Sequence, residues 1–132
     1  MDKSIFFGFE ELEAWKIARE IKKEIAEELK GFPREEKYRL IDQVIRSSRS
    51  IGALIAEGHG RFSYPDQIHF CIQARGSLAE TMNHLTDAYD AGYLTGPRLD
   101  YFRVKLKQLE RLLNGYINYL RNQKIKIKLS LP

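Results

Sequence analysis

The chain is predicted to be an all-α protein that folds as an antiparallel up-down-up-down four-helix bundle. Apolar residues recur every three or four positions in four successive segments, and the cleanest is the heptad seam from Leu99 to Leu120. Breaks rich in glycine and proline separate these segments. Short connections between long helices favour antiparallel neighbours. No internal segment sustains the polar–apolar alternation of a strand, so helices are expected throughout the interior of the chain.

The breaks also set the expected helix limits within a single domain, 1–132. Gly31 and Pro33 end the first helix and open the second, because glycine stops a helix and proline suits a first turn. The tail, 124–132, is the exception, since lysine alternates there with isoleucine or leucine. We expect this tail either to add a short strand, against the Ile5–Phe7 region or a neighbouring subunit, or to fray. The helices are expected at about residues 9–30, 34–58, 65–91 and 97–123.

Composition narrows the class of protein. A chain of 132 residues with 43% hydrophobic and 30% charged residues is typical of one soluble domain with a sizeable core. No apolar run approaches the roughly 20 residues of a membrane span. The first residues, MDKSIFFGFEE, lack the apolar core of a signal peptide, and Cys71 is the single cysteine. Both observations predict a cytoplasmic protein in a reducing compartment.

Positive charge is concentrated in the last quarter of the chain. From Arg98 onward, nine basic residues face only Asp100 and Glu110, so this part carries +7 and the remainder −3 of the net +4. Such segregation is an electrostatic footprint for nucleic acid, although a solvated lysine-rich helix and tail has the same composition. The candidate nucleic-acid contacts are Arg98, Arg103, Lys105, Lys107, Arg111, Arg121, Lys124, Lys126 and Lys128.

The second helix, above all 43–61, mixes apolar, small and charged residues. Its small residues let helix backbones approach closely, which predicts neighbours on at least two sides. Charges near a packed surface need partners, so we expect interhelical ion pairs, for example Arg46 or Arg75 with Glu57 or Glu80. The alternative is a polar network that binds a ligand or catalyses a reaction. The candidate ion-pair residues are Arg46, Glu57, Arg61, Arg75 and Glu80.

Catalytic and metal-binding patterns are scarce. His69 and Cys71 are two positions apart, which points their side chains away from each other on a helix. No Glu-x-x-His pair of the di-iron bundles occurs, and no glycine-rich phosphate loop follows a strand. Cys71 lies on an apolar stripe and is expected to be a small core residue. We therefore predict no catalytic residues, no metal and no cofactor.

One run of residues, from Phe9 to Glu80, resembles a known protein family. Its most specific elements are Ala56-Glu57-Gly58, followed by Gly60-Arg61, and Gly76-Ser77 with Glu80. The chain resembles the four-helix-bundle proteins first noticed as reading frames inside intervening sequences of bacterial 23S rRNA genes. The resemblance implies an antiparallel bundle assembled as a ring, with similar proteins forming pentamers, and no established enzyme activity.

The function predicted from these observations is a non-enzymatic homo-oligomer that binds structured RNA or DNA through its basic C-terminal helix and tail. The alternative is a protein-interaction scaffold or accessory subunit. A bundle related to the family accompanies the reverse transcriptase of diversity-generating retroelements, so the resemblance also makes such an enzyme a candidate partner. Enzymatic activity ranks third, because no acid, base and nucleophile converge in the sequence.

Overall fold

The computed structural model describes residues 5–131, and within them all regular structure is helical. The all-α prediction is confirmed. Each helix packs on the next along the chain, and the last packs on the first. Residues 1–4 of the predicted domain and Pro132 of the predicted tail lie outside the described residues. The four α-helices are α1 (Glu13–Leu29), α2 (Leu40–His59), α3 (Tyr64–Asp90) and α4 (Gly96–Ser130).

Local chemistry sets the ends of α3 and α4. The hydroxyl of Ser63 accepts the backbone N–H of Asp66, and the hydroxyl of Thr95 accepts that of Arg98. Each cap is followed by a proline in the first helical turn, where no intrahelical donor is lost. Beyond α3, Gly92 has a φ of +82°, a left-handed turn that glycine adopts without steric cost.

The first two helices begin later than their sequence pattern predicts. A 3-10 turn, Gly8–Glu11, and an extended Leu12 precede α1. A second 3-10 turn, Arg34–Glu36, follows Pro33, and α2 begins only at Leu40. The Glu36 carboxylate accepts the Leu40 backbone N–H at 3.2 Å. The Glu36 side chain therefore accepts a free backbone N–H of the first turn of α2 although Glu36 lies outside that helix. This explains why the helix-like sequence pattern begins before α2 does.

The core lies along the heptad seam of α4 and the facing stripes of the other helices. Leu106, Leu109 and Leu113 are buried there together with Ile21 of α1 and Ile51 of α2. The seam ends in a second cluster, in which Ile117 and Leu120 pack with Cys71 of α3. Leu120 is the last buried residue of α4 within the described chain.

Small polar residues pack between α2 and α3. The Thr81 hydroxyl lies 2.9 Å from Ser47 Oγ and 2.8 Å from the Ser77 carbonyl, so its single proton is shared between these two acceptors, and all of Thr81 is buried. Ser50 and Ser77 join their hydroxyls at 2.9 Å. Because these hydroxyls bond one another, two helix backbones approach closely without leaving buried polar groups unpaired.

The tail prediction is wrong, because α4 continues without interruption to Ser130. Neither glycine nor proline stands between Gly115 and Pro132 to stop the helix. A helix satisfies its backbone groups locally, whereas a strand needs an edge to pair with, and the described residues form no sheet. Period-two alternation in 124–131 therefore does not override propagation from the packed part of α4.

Two glycines within helices, one buried near the end of α2 and one exposed in the middle of α3, should respond in opposite ways to alanine. At Gly58 of α2, a Cβ would lie 2.7 Å from the Phe70 Cβ, whereas at Gly76 of α3 nothing lies within 4 Å. We expect Gly58→Ala to lower the free energy of unfolding by about 1–3 kcal/mol through overpacking. Gly76→Ala should raise it by about 0.5–1 kcal/mol through helix propensity. Urea unfolding followed by circular dichroism measures both, and a neutral Gly58→Ala would contradict this close approach.

Candidate nucleic-acid interface

Most basic residues in the first half of α4 have partners, whereas Arg111 is exposed and makes no ion pair among residues 5–131. Arg98 binds Glu28 of α1 through a 2.7 Å ion pair and lies over the ring of Tyr101. This interhelical pair was not predicted, because its two residues are far apart in sequence. The only available signal was their placement near the end of the first helix and the start of the last. Arg98 therefore has a structural partner, although the sequence assigns it to the nucleic-acid set.

Two further cations of this half are paired with neighbouring acids. Arg103 binds Asp100 at 2.7 Å, and Lys107 binds Glu110 at 3.0 Å, each three positions away on the same helix. Exposed pairs of this kind contribute little to stability, but each one offsets a positive charge locally. Lys105 lies over the Tyr101 ring, 5.8 Å from its centroid. Much of the charge counted from the sequence is thus neutralised along this half.

The last ten helical residues of α4 extend beyond the packed bundle. The first turns of α3 end the core, since Tyr64, Ile68 and Cys71 pack with Ile117 and Leu120. After Leu120, every side chain of the described helix is exposed except that of Gln123, which is half-buried. Residues 121–130 span about 15 Å at the rise of an α-helix. We call this segment the α4 extension.

The α4 extension carries cations without acidic partners. Across residues 5–131, neither Arg121 nor any of the three extension lysines makes an ion pair. Arg121, Lys124 and Lys128 are spaced by three and four residues, so they share one face of the helix, and Lys126 lies opposite. No acidic residue follows Glu110 in the chain. The structure therefore concentrates accessible positive charge at this tip.

Aromatic side chains lie at the same end of the bundle. Tyr119 is 56% exposed, and its ring stacks on Tyr116 with centroids 6.2 Å apart. Burial raises the pKa of Tyr116 to about 12, so its phenol stays neutral. Phe62, in the turn before α3, is fully exposed. Tyr119 is seven residues before Lys126 and so lies on the same side of the helix, opposite the face of the other three extension cations. Aromatic faces and cations at one end of a protein offer single-stranded nucleic acid both stacking and phosphate contacts.

The predicted interhelical ion pairs of α2 are not formed as expected. Arg46 binds Asp42, four residues earlier on its own helix, at 3.1 Å. Arg61 binds Glu57, also four residues away, at 2.8 Å. Partners one turn apart meet with little loss of side-chain freedom, so local pairs form before interhelical ones. All four side chains are substantially exposed, which makes these pairs minor contributors to stability.

The remaining two ion-pair candidates, on α3, also find other partners. Arg75 donates to the amide oxygen of Asn114 at 2.9 Å and thereby joins α3 to α4 by a hydrogen bond rather than an ion pair. Glu80 contacts His84 on its own helix at 3.3 Å. The polar contacts that α3 makes with α2 and α4 thus involve an amide and hydroxyls rather than pairs of opposite charge.

The described residues include no group of three or more histidine, cysteine or acidic side chains arranged to hold a metal ion. Cys71 is buried at 2% exposure, and burial raises the pKa of its thiol to about 11. A thiol of this kind is a poor nucleophile near neutral pH. In the part of the chain that is described, no helix has the length and apolar character to cross a membrane.

The raised pKa of Cys71 predicts slow alkylation of the native protein. Near pH 8, a thiol of pKa about 11 is ionised to roughly one part in a thousand, and its side chain is also inaccessible. We expect iodoacetamide to label Cys71 at least about 100-fold more slowly in the native chain than in urea. Mass spectrometry of quenched samples measures both rates. Rapid labelling of the folded chain would indicate an activated thiol and support an enzyme.

Comparison with known proteins places the fold in a family. The family model described as 23S rRNA-intervening sequence protein matches residues 10–115, which span most of the chain and reach into α4. The α4 extension lies beyond the matched region. No curated protein gives a significant match. The chain belongs to the 23S rRNA-intervening sequence protein family.

Proposed function

We propose that this protein is a non-enzymatic, oligomeric bundle that binds structured RNA or DNA through the C-terminal part of α4. The observation that carries the proposal is the α4 extension, whose four cations have no acidic partner among residues 5–131. Lysine and arginine on a projecting helix mainly contact phosphates, which gives affinity with little sequence preference. Cytoplasmic location is part of the proposal, in keeping with a single reduced cysteine.

The candidate contacts in the two halves of α4 differ in how freely they could bind phosphate. Arg98, Arg103 and Lys107 already have carboxylate partners, so phosphate must compete for them. Arg121, Lys124 and Lys128 share one exposed face and supply the principal contacts. Lys105, Lys126 and Arg111 are secondary candidates, and Tyr119 offers a stacking surface for an unpaired base.

An antiparallel bundle in a ring-like homo-oligomer is the proposed architecture. Contacts between the end of one helix and the start of a helix packed beside it support antiparallel neighbours, for example Glu28 of α1 with Arg98 of α4. Leu106, Leu113 and Leu120 follow one another at intervals of seven residues, and Ile127 continues this repeat beyond the end of the core, yet it is 50% exposed. A second copy would cover such a residue, and a pentamer is the state proposed from the family resemblance.

A second candidate function is a protein-interaction scaffold, with a reverse transcriptase among the possible partners. Exposed apolar residues on the α4 extension favour it, since Ile125, Ile127 and Leu129 all lie at or above 50% exposure. Apolar side chains of this kind contribute little to phosphate binding but would be buried against a protein. Recovery of a specific protein from nuclease-treated lysate, lost on Leu129→Ser, would favour the scaffold.

The nucleic-acid proposal is tested by fluorescence anisotropy with a labelled rRNA hairpin and a labelled DNA duplex. Four phosphate contacts predict a loss of roughly 100-fold in affinity between about 50 and about 200 mM salt. Alanine at Arg121, Lys124 and Lys128 should weaken binding and flatten the salt dependence by about 2–3 units of slope on duplex DNA.

The matched control is Arg98→Ala, which also removes an arginine from α4. Because Arg98 is bound to Glu28, this change should lower stability while leaving the affinity for nucleic acid within about twofold. Equal losses of affinity in both variants would show that the α4 extension has no special part. Absence of binding to either probe at low salt would refute the proposal.

Oligomerisation is tested separately by sedimentation equilibrium at micromolar concentration. The chain has a mass of 15.4 kDa, so a ring should give a several-fold multiple of this value, fivefold for a pentamer. Ile127→Lys should shift the distribution towards smaller species, because it places charge on the seam that a second copy covers. Ile72→Lys, an exposed position on α3, is the control. A monomer at micromolar concentration would contradict the proposed ring.

A further inference from the structure

A groove with a one-sided charge runs between α1 and α2. It has two adjoining lobes of about 250 and 280 Å³, and both are lined by Lys22, Ser48 and Arg49. One lobe extends towards Leu29, and the other extends towards Trp15 at the start of α1. Because the lobes share lining residues, they form one elongated depression along the helix pair.

Four cations line this α1–α2 groove, and no carboxylate lines either lobe. They are Arg19, Lys22, Lys23 and Arg49, none of which makes an ion pair within residues 5–131. Three further clefts each include at least one glutamate, and the one lined by Glu10 and Glu20 adjoins the groove, since it shares Trp15, Arg19 and Lys23 with it. Lys22 and Arg49 line only the acid-free lobes among these five clefts. Like charges one helical turn apart repel each other, so this groove would be stabilised by an anion.

The shape and donors of the groove favour a chain of phosphates. Arginine guanidinium groups bind phosphate through paired N–H donors, and lysine adds a mobile charge. The indole of Trp15 lies against Gly52, whose missing side chain keeps the groove floor low. The cations are spread over both lobes, with Arg19 in one, Lys23 in the other and Lys22 and Arg49 in both, so they match successive phosphates of an extended phosphodiester strand.

The groove also opens towards the end of the bundle from which the α4 extension projects. Gly8, just before α1, lies against the His59 ring at the end of α2. The chain passes from there through a short turn into α3, whose first turns pack on Ile117 and Leu120. A strand bound by the extension therefore has a second basic surface within reach at the same end.

We infer that the α1–α2 groove is a second phosphate-binding site, which holds the backbone of a single strand of nucleic acid. That the bound strand is a nucleic acid rests on the proposed function, whereas the binding of phosphate by the groove does not. Lys22 and Arg49, common to both lobes, make the central contacts, and Arg19 and Lys23 extend them in either direction along α1.

The chain contains one tryptophan, Trp15, and this residue reports on the groove directly. Intrinsic fluorescence is titrated with inorganic tripolyphosphate and with an oligouridylate of about 12 nucleotides. The wild-type protein should give a saturable change in Trp15 emission with both probes. The double variant Lys22→Ala/Arg49→Ala should raise the half-saturating concentration at least about tenfold and lower the salt slope for the oligonucleotide by about 1.4.

Two controls separate the groove from the α4 extension and from damage to the fold. The variant Arg121→Ala/Lys124→Ala/Lys128→Ala should keep the tripolyphosphate response, since none of its substituted residues lines either lobe. The charge-preserving variant Lys22→Arg/Arg49→Lys should recover most of the binding. Circular dichroism and thermal unfolding establish that each variant is folded, so a lost response reports on charge.

The outcomes are distinguishable from failure of the proposed function. If tripolyphosphate changes Trp15 emission but no nucleic acid binds by anisotropy, the groove site stands and the proposed function fails. If oligouridylate binds by anisotropy while Trp15 stays silent, the groove inference is overturned and the proposed function stands. A Trp15 response that follows protein concentration alone, unaffected by phosphate, would identify the groove as an interface between copies and overturn the inference as well.

Discussion

The close approach of α2 and α3 is the constraint on which the rest of the structure depends. Gly58 packs directly against Phe70, and the hydroxyl pairs Ser47–Thr81 and Ser50–Ser77 occupy the interface above it. Larger residues would separate the two backbones, and unpaired hydroxyls would be costly in a buried seam. The Ser63 cap sets the first residue of α3, and this packing sets the position of α3 against α2. The position of α3 in turn determines how much of α4 packs against another helix.

Unequal helix length is what creates an exposed tip. The 35 residues of α4 exceed the 27 of α3, and the core they share ends at Leu120. An isolated helix of ten residues is marginal in water, so the α4 extension depends on propagation from the packed part of the same helix. Its side chains contribute nothing to the core of a single chain. Their alternation of lysine with isoleucine and leucine is therefore better explained by contacts outside this bundle than by folding.

Sequence patterns predicted the parts of this structure that are locally encoded. The heptad from Leu99 to Leu120 and the glycine and proline breaks each act within a few residues, so a single sequence contains them fully. The conformation of residues 124–131 depends on how far α3 extends along α4, and no local sequence pattern contains that information. Pairing of Arg98 with Glu28 likewise depends on two helices meeting across 70 positions of chain.

Charge on this protein is best understood residue by residue rather than as a regional sum. The +7 of the C-terminal quarter includes Arg98, Arg103 and Lys107, whose charges are offset by carboxylates within 3.0 Å. The net charge of −3 on the rest of the chain gives no sign of the groove between α1 and α2, whose two lobes are lined by four cations and no acidic residue. A charge summed over a segment of sequence thus overstates the accessible positive charge of α4 and misses the basic groove between α1 and α2. Ion pairs offset part of the positive charge, mostly between neighbours on one helix, and the α4 extension and the groove are two places within residues 5–131 where several unpaired cations lie together. An extended polyanion could neutralise both surfaces at once, whereas a compact acidic ligand could reach only one of them.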